Sequence, residues 1–417
     1  MTELKNSTKI ARALLTVLVI LSLSGCWNYQ EPDEIAWVLA LGLDKGRQNV
    51  LTMTTVVAVP KAIGTGGGDG GGSGGQGFFV VSMEVNTILE GLELLNAFVD
   101  RRADLSHTAW IVFGRALAEE GIDRYYAPLA RFRQFRRNSS ILITQGRAAD
   151  LLKNGKPILE DNVGKYYQLL QQGWRFTEFI PRDTFHDFYI ASKTPGVGAV
   201  ANLVALQDKD EKDIFPNNRP KDKGVYYAGR IPRQGGGRLE IMGGAVFRGG
   251  KMVGILDADE TGFVKMVRGT FRRTIQAVPD PKHPDKYVIV EVKPRTKAEV
   301  NVDVTGNVPR ISVRIPLEGD IISIQSGEDY ERASRIPLVE RSVEGYLNQE
   351  LRNTIEKTQQ WGTDVFEFSS KAQRQFFTWK AWKAYDWASR YPNAIVDATV
   401  DFRVRRVGLL HETIPIR

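Results

Sequence analysis

Apolar and polar residues alternate most cleanly at the end of the chain. Val396, Ala398, Val400, Phe402 and Val404 interleave with Asp397, Thr399, Asp401, Arg403 and Arg405, the period of a strand with one buried and one wet face. Ile311, Val313, Ile315 and Leu317 repeat the pattern within 309–317, and further strands are expected at 287–292 and 298–304. The period then lengthens. Val339, Val343, Leu347, Leu351 and Ile355 recur at every fourth residue, which predicts an amphipathic helix over 339–360. A second helix is expected over 370–390, dense in aromatics from Phe376 and Phe377 to Trp379, Trp382, Tyr385 and Trp387, and stopped by Pro392. Strands, then helices, then a strand is an α+β order, with helices packed on largely antiparallel sheets.

The first half is less regular. Residues 35–41 form a continuous apolar run and predict a buried strand, with a turn at 42–46 and a hairpin partner over 50–59. A glycine-rich stretch, 64–77, reads as a flexible surface loop. A strand is expected at 78–85, then a helix from Asn86 with Ile88, Leu89, Leu92, Leu95 and Phe98 on one face. Strands at 106–113 and 141–144 and helices at 117–136 and 150–154 complete an N-terminal α/β domain, 26–154. Residues 155–235 read as a middle domain rich in helix and loop. It has helices at 166–171 and 176–192, an exposed polar tract at 208–223 and a short strand at 225–228. The C-terminal α+β domain, 236–417, opens with glycine-punctuated short strands over 239–266, a β-meander.

The leader changes the picture. Lys5, Lys9 and Arg12 precede an apolar stretch over 13–23, and Leu23-Ser24-Gly25-Cys26 comes next. That stretch has the length of a signal-peptide core and falls short of the ~20 residues of a spanning helix. Cys26 is the only cysteine of the chain. Small residues before it make a bacterial lipobox, so residues 1–25 are expected to be a lipoprotein signal peptide and Cys26 the lipidation site. No intrachain disulfide can form. The chain carries a net +7, of which Lys5, Lys9, Arg12 and Glu3 of the leader contribute +2; the remaining +5 suits a body lying against anionic headgroups, and export argues against nucleic acid as a partner.

Other motifs carry little chemistry. Glycines 66–71 match GxGxxG and residues 71–75 match GxSxG, but neither lies in a strand–turn–helix context. His107, His186, His283 and His411 stand singly, without metal-ligand spacing. No catalytic, cofactor-binding or metal residues are assigned, and a non-enzyme is expected. Asp257, Asp259 and Glu260 read as a turn between strands or as a partner contact. Arg131, Arg133, Arg136 and Arg137 read as a solvated face or a contact to anionic lipid or an acidic partner. The Trp379–Trp382 helix reads as core packing ahead of an interfacial anchor.

Several blocks together resemble the Ger(x)C family, the C subunits of nutrient germinant receptors of bacterial spores. Cys26-Trp27-Asn28 through Leu43-Asp44-Lys45 is similar to the opening of that family. His107-Thr108-Ala109-Trp110-Ile111-Val112-Phe113-Gly114 resembles its next strand, and Gly121-Ile122 resembles the segment after that strand. Gly244-Ala245-Val246-Phe247, Lys251-Met252-Val253-Gly254 and residues 256–261 resemble a later block, as do Thr358-Gln359-Gln360 and Asp364-Val365-Phe366. Asn28 stands where the family carries an acid, and the glycine stretch is an insertion. The resemblance implies three mixed α/β domains and a lipoprotein on the outer face of the spore inner membrane. It also implies work with an integral-membrane A subunit and a transporter-like B subunit, so that small nutrients trigger germination. The competing reading is an extracytoplasmic solute-binding lipoprotein of a transporter.

Overall fold

The computed structural model describes residues 12–17, 31–59, 77–207, 226–233 and 235–408. Cys26, His411, nearly all of the glycine stretch and the polar tract at 208–223 lie outside the described residues. Among the described residues no helix is long and apolar enough to cross a membrane.

Strands β1 (Ile35–Lys45), β2 (Leu51–Ala58), β3 (Phe78–Val85), β4 (Arg102–Asp104), β5 (Trp110–Gly114), β6 (Ser140–Thr144), β7 (Ala199–Leu206), β8 (Leu239–Arg248) and β9 (Lys251–Leu256) form one sheet. Its order is β3-β2-β1-β5-β6-β7-β8-β9, with β4 also on β1. The centre, β1-β5-β6-β7, is parallel and both flanks are antiparallel. Both faces are covered, which is why the central strands are buried along almost their whole length and mostly apolar. Ile111, Phe113, Ile141 and Ile143 face one core, while Trp110, Val112 and Leu142 face the other. The first core is closed by helices α1 (Ile88–Asn96), α2 (Arg115–Glu120), α3 (Asp123–Tyr126) and α6 (Phe185–Lys193). The second is closed by α4 (Ala148–Asn154) and α5 (Val163–Gln171). This one sheet takes strands from all three segments of the expected division.

The second sheet contains β10 (Thr274–Pro279), β11 (Tyr287–Pro294), β12 (Glu299–Asp303), β13 (Arg310–Ile324) and β14 (Ile395–Arg406), in the order β10-β11-β13-β12 with β14 parallel to β13. Its buried face packs on α7 (Ala258–Arg268) and on α8 (Ile336–Gln360), whose Val339, Val343, Leu347, Leu351 and Ile355 are all buried. Helices α9 (Phe368–Gln373), α10 (Trp379–Tyr385) and α11 (Trp387–Arg390) close the end of this core. The class is α+β, with antiparallel pairings in the majority.

Several local expectations are corrected. The turn expected at 42–46 is strand up to Lys45, because Gly42 pairs with Thr54 and Lys45 with Leu51. Gly42 is required there by packing: a Cβ would lie 2.8 Å from the Leu152 side chain. The helix expected over 117–136 breaks at Gly121, where φ is 131°. The strand expected from 106 begins at Trp110, after a turn in which Asp104 accepts from the Ser106 amide at 2.7 Å. Of 176–192 only Phe185–Lys193 is helical, started by a Thr184–Asp187 capping box after Pro181. Residues 226–228 are not strand. The meander ends after the β8–β9 hairpin, and residues 258–268 are helix α7. The helix over 370–390 is three short pieces, divided in part by Asp386 in the left-handed region at φ 49°.

Candidate functional site

The family-like motif residues resolve first into structural joints. Asp44 accepts from the amides of Ala148 and Ala149 at 2.8 and 2.9 Å, capping α4 from the neighbouring strand. Burial pushes its carboxyl up, against these hydrogen bonds. Asp257 is the N-cap of α7 and closes a capping box with Glu260. Glu260 in turn pairs with Lys357 of α8 at 2.6 Å. The acidic cluster is therefore a helix start and a strut to α8, not a turn between strands.

Asp364 ties the two sheets together. Its backbone carbonyl accepts from the Gly198 amide at 2.8 Å, just before β7. Its buried carboxylate accepts from the amides of Phe366 and Ser369, at 3.1 and 2.7 Å, and from the Trp387 indole at 3.2 Å. Burial pushes this carboxyl up to about 6. Trp361 seals the same seam by lying across Gly254 of β9.

A polar cavity of about 300 Å³ opens beside this seam, lined by Asp183, Val200, Leu256, Lys265, Arg268 and Glu367 among others. Lys265 of this lining belongs to a buried ion pair. Lys265 Nζ lies 2.6 Å from Glu178 and donates to the Ile180 carbonyl at 3.1 Å. Glu178 also accepts from the Arg272 amide at 2.9 Å. Burial lowers the Lys265 ammonium, and Glu178 opposes that shift. The wall is a looser set. Arg268 stands 3.3 Å from Glu367 and 3.8 Å from Asp183, and its Nε donates to the Val365 carbonyl at 2.7 Å. Its Nη2 is buried without a hydrogen-bond partner. Asp183 is 16% exposed, and burial pushes it up to about 6 against the pull of Arg268. Glu367 holds φ at 64°, a costly conformation for a residue with a side chain. These groups can hold a small polar molecule or solvent. The Thr261 hydroxyl on the wall is already committed, donating to the Asp257 carbonyl at 2.7 Å.

The remaining candidates are dispersed. His107, His186 and His283 lie apart. Among the described residues no group of three or more His, Cys, Asp or Glu is placed to hold a metal ion. Trp382 is 3% exposed and stacks in the C-terminal core, whereas Trp379 is 49% exposed. The aromatic segment is thus core with an exposed rim. Of the arginines, Arg137 donates to the Ala130 carbonyl at 2.9 Å, and Arg136 lines a second cavity. Glu178, Asp183, Arg268 and Glu367 carried no sequence signal. Lys265 offered a signal that the strand reading of 239–266 passed over: a cation among Phe263, Val264, Met266 and Val267, all buried in α7.

Known proteins resemble the chain along almost its whole length. Spore germination protein KC of Bacillus subtilis (strain 168) is 24% identical over 417 residues, covering 97% of this chain and 98% of the relative. Spore germination protein B3 of the same strain is 21% identical and covers 82% of each chain. The crystal structure of the GerBC protein is 16% identical, with a TM-score of 0.49 over 87% of this chain and 96% of that one. The family described as spore germination protein N-terminal domain matches residues 28–206, and that described as spore germination B3/GerAC like, C-terminal, matches residues 242–408. Covered in order by both domains, the chain belongs to the Ger(x)C family of spore germination proteins.

Proposed function

We propose that this protein is a lipid-anchored C subunit of a spore nutrient germinant receptor. It would be held by Cys26 on the outer face of the spore inner membrane and assembled with integral-membrane A and B subunits. A non-enzymatic role goes with the family. The observation that carries the reading is the position of the family match, which begins at residue 28, two residues after the lipobox cysteine. Strand β1 begins soon after, at Ile35. Even fully extended, the link from Cys26 spans only about 30 Å, so a lipid at Cys26 keeps the body at the membrane surface. Mature lipoproteins carry two or three acyl chains, enough for firm anchoring where one chain is marginal.

The domain division goes with this proposal as three segments, 26–154, 155–235 and 236–417, whose strands meet in the large sheet. The competing reading, a solute-binding lipoprotein, calls for two doubly wound lobes. The described sheets are instead one mixed and one largely antiparallel.

The test is a pull-down of tagged protein from detergent-solubilised spore inner membranes, wild type beside Cys26→Ala. Multi-spanning proteins should come down with wild type and fall sharply with the variant. A lipidated wild type that brings down no integral protein would remove the receptor role and favour the solute-binding reading.

A further inference from the structure

Trp174 lies under three arginines. The guanidinium carbons of Arg182, Arg272 and Arg175 stand 4.7, 4.9 and 5.5 Å from its ring centroid. All three side chains are exposed. Among the described residues none of them has a carboxylate at ion-pair distance. Like charges gathered this closely repel one another, and the buried Glu178 nearby in the chain is committed to Lys265. Next to them Phe176 is 85% exposed. Arginines around a tryptophan with a bare phenylalanine beside it combine charge for phosphate with apolar bulk for the headgroup zone.

The cluster neighbours the first strand. Trp174 lines a cavity of about 360 Å³ together with His107 and Arg136. The His107 ring packs edge-on against Trp37, 4.2 Å between centroids. Trp37 lies at the start of β1, the end from which the chain runs back to Cys26. The arginine cluster around Trp174 and the Trp37–His107 contact at the start of β1 thus border the same cavity.

We infer that the surface formed by Trp174, Arg175, Phe176, Arg182 and Arg272 is the face that the protein lays on an anionic phospholipid bilayer. This rests on the tethered reading above and adds an orientation to it. The lipid sets the distance and the arginines set which side is down. Two weak contacts joined by a short link act together, because the first holds the second at high effective concentration.

The test uses the chain from residue 26 with Cys26→Ser, so that no acyl chain contributes. Its sedimentation with phosphatidylcholine vesicles, with and without phosphatidylglycerol, is measured at low and high salt. Binding is expected only to the anionic vesicles, and salt should release it. R175A/R182A/R272A should weaken partitioning roughly a hundredfold, while R175K/R182K/R272K should retain most of it. If the alanine triple does not fold, the single variant R182E, at an exposed site, serves in its place. No binding to anionic vesicles, or binding that the alanine triple retains, would overturn the assignment. So would arginine-dependent capture of an integral subunit without vesicle binding, which would make this face a contact to an acidic protein. Because the vesicles contain no other protein, this result is independent of the pull-down that tests receptor assembly.

Discussion

Lys265 Nζ and Glu178 stand 2.6 Å apart with side chains only 5% and 3% exposed, which buries a full ion pair between the large sheet and the C-terminal unit. Breaking such a pair by removing one partner costs about 3–5 kcal/mol, because the other charge stays buried alone. Glu178→Ala should lose that much in denaturant unfolding. Glu178→Gln with Lys265→Met keeps an acceptor for the Arg272 and Arg273 amides and removes both charges, so it should recover most of the loss. A Glu178→Ala protein within about 1 kcal/mol of wild type would mean that the pair is not structural.

Stability should fall as pH rises from about 4 to about 6. Burial raises Asp183, Asp257 and Asp364 each to about 6 from an ordinary 3.8. The folded state therefore holds protons in that window which the unfolded state has released. Each such group removes up to about 1.4 kcal/mol per pH unit until its folded carboxyl has ionised. Carboxyls held low, such as Asp280 and Asp401, act in the opposite sense, but below their ordinary range. Unfolding measured across the window should show the decline, and Asp183→Asn should flatten it. A rise in stability there would contradict the assignment.

Gly254→Ala should destabilise the seam between the sheets. A Cβ at this position runs into the Trp361 indole, which is only partly buried but packed against the core. Overpacking of this kind costs about 1–3 kcal/mol. Tryptophan emission should shift along with the melting temperature. An unchanged melting temperature would show that Trp361 can move aside freely.

Shortening the glycine stretch should leave the fold intact. Ala58 pairs with Phe78, and the Val59 amide donates to the Gly77 carbonyl at 2.9 Å, so the hairpin is closed on either side of the insert. Each halving of a flexible link lowers its closure cost by about 0.6 kcal/mol. Replacing 61–76 with a few Gly-Ser residues should hold or raise the melting temperature. A large fall would mean that the insert packs on the body.

How far the sequence was legible depends on the geometry of burial. Strand β14 and helix α8 each bury one face, so their periods of two and four stand out. Strand β7 escaped notice because Ala199–Leu206 lies inside a sheet covered on both sides and shows no alternation. Helix α7 was read as strand because glycine and short apolar runs mask its period, although Asp257 and Glu260 already spelled its capping box. The cavity could not be anticipated. Asp183 comes from a loop, Lys265 and Arg268 from a helix and Glu367 from a strained turn in the other half, and no local spacing joins them. Cys26 is the reverse case: one residue in one context carries the whole expectation of an anchor.

The strand order of the large sheet also governs how the protein can be assembled as it emerges. Strand β6 gains its outer neighbour only when β7 is complete, and β8 and β9 are supplied by residues up to Leu256. A nascent chain halted between 144 and 199 would display β6 as an open, apolar edge, the kind of template on which other chains aggregate. Parallel pairings between distant segments also form slowly. Premature termination there should thus give aggregates needing a chaperone, whereas a chain cut after Leu256 would present a finished sheet.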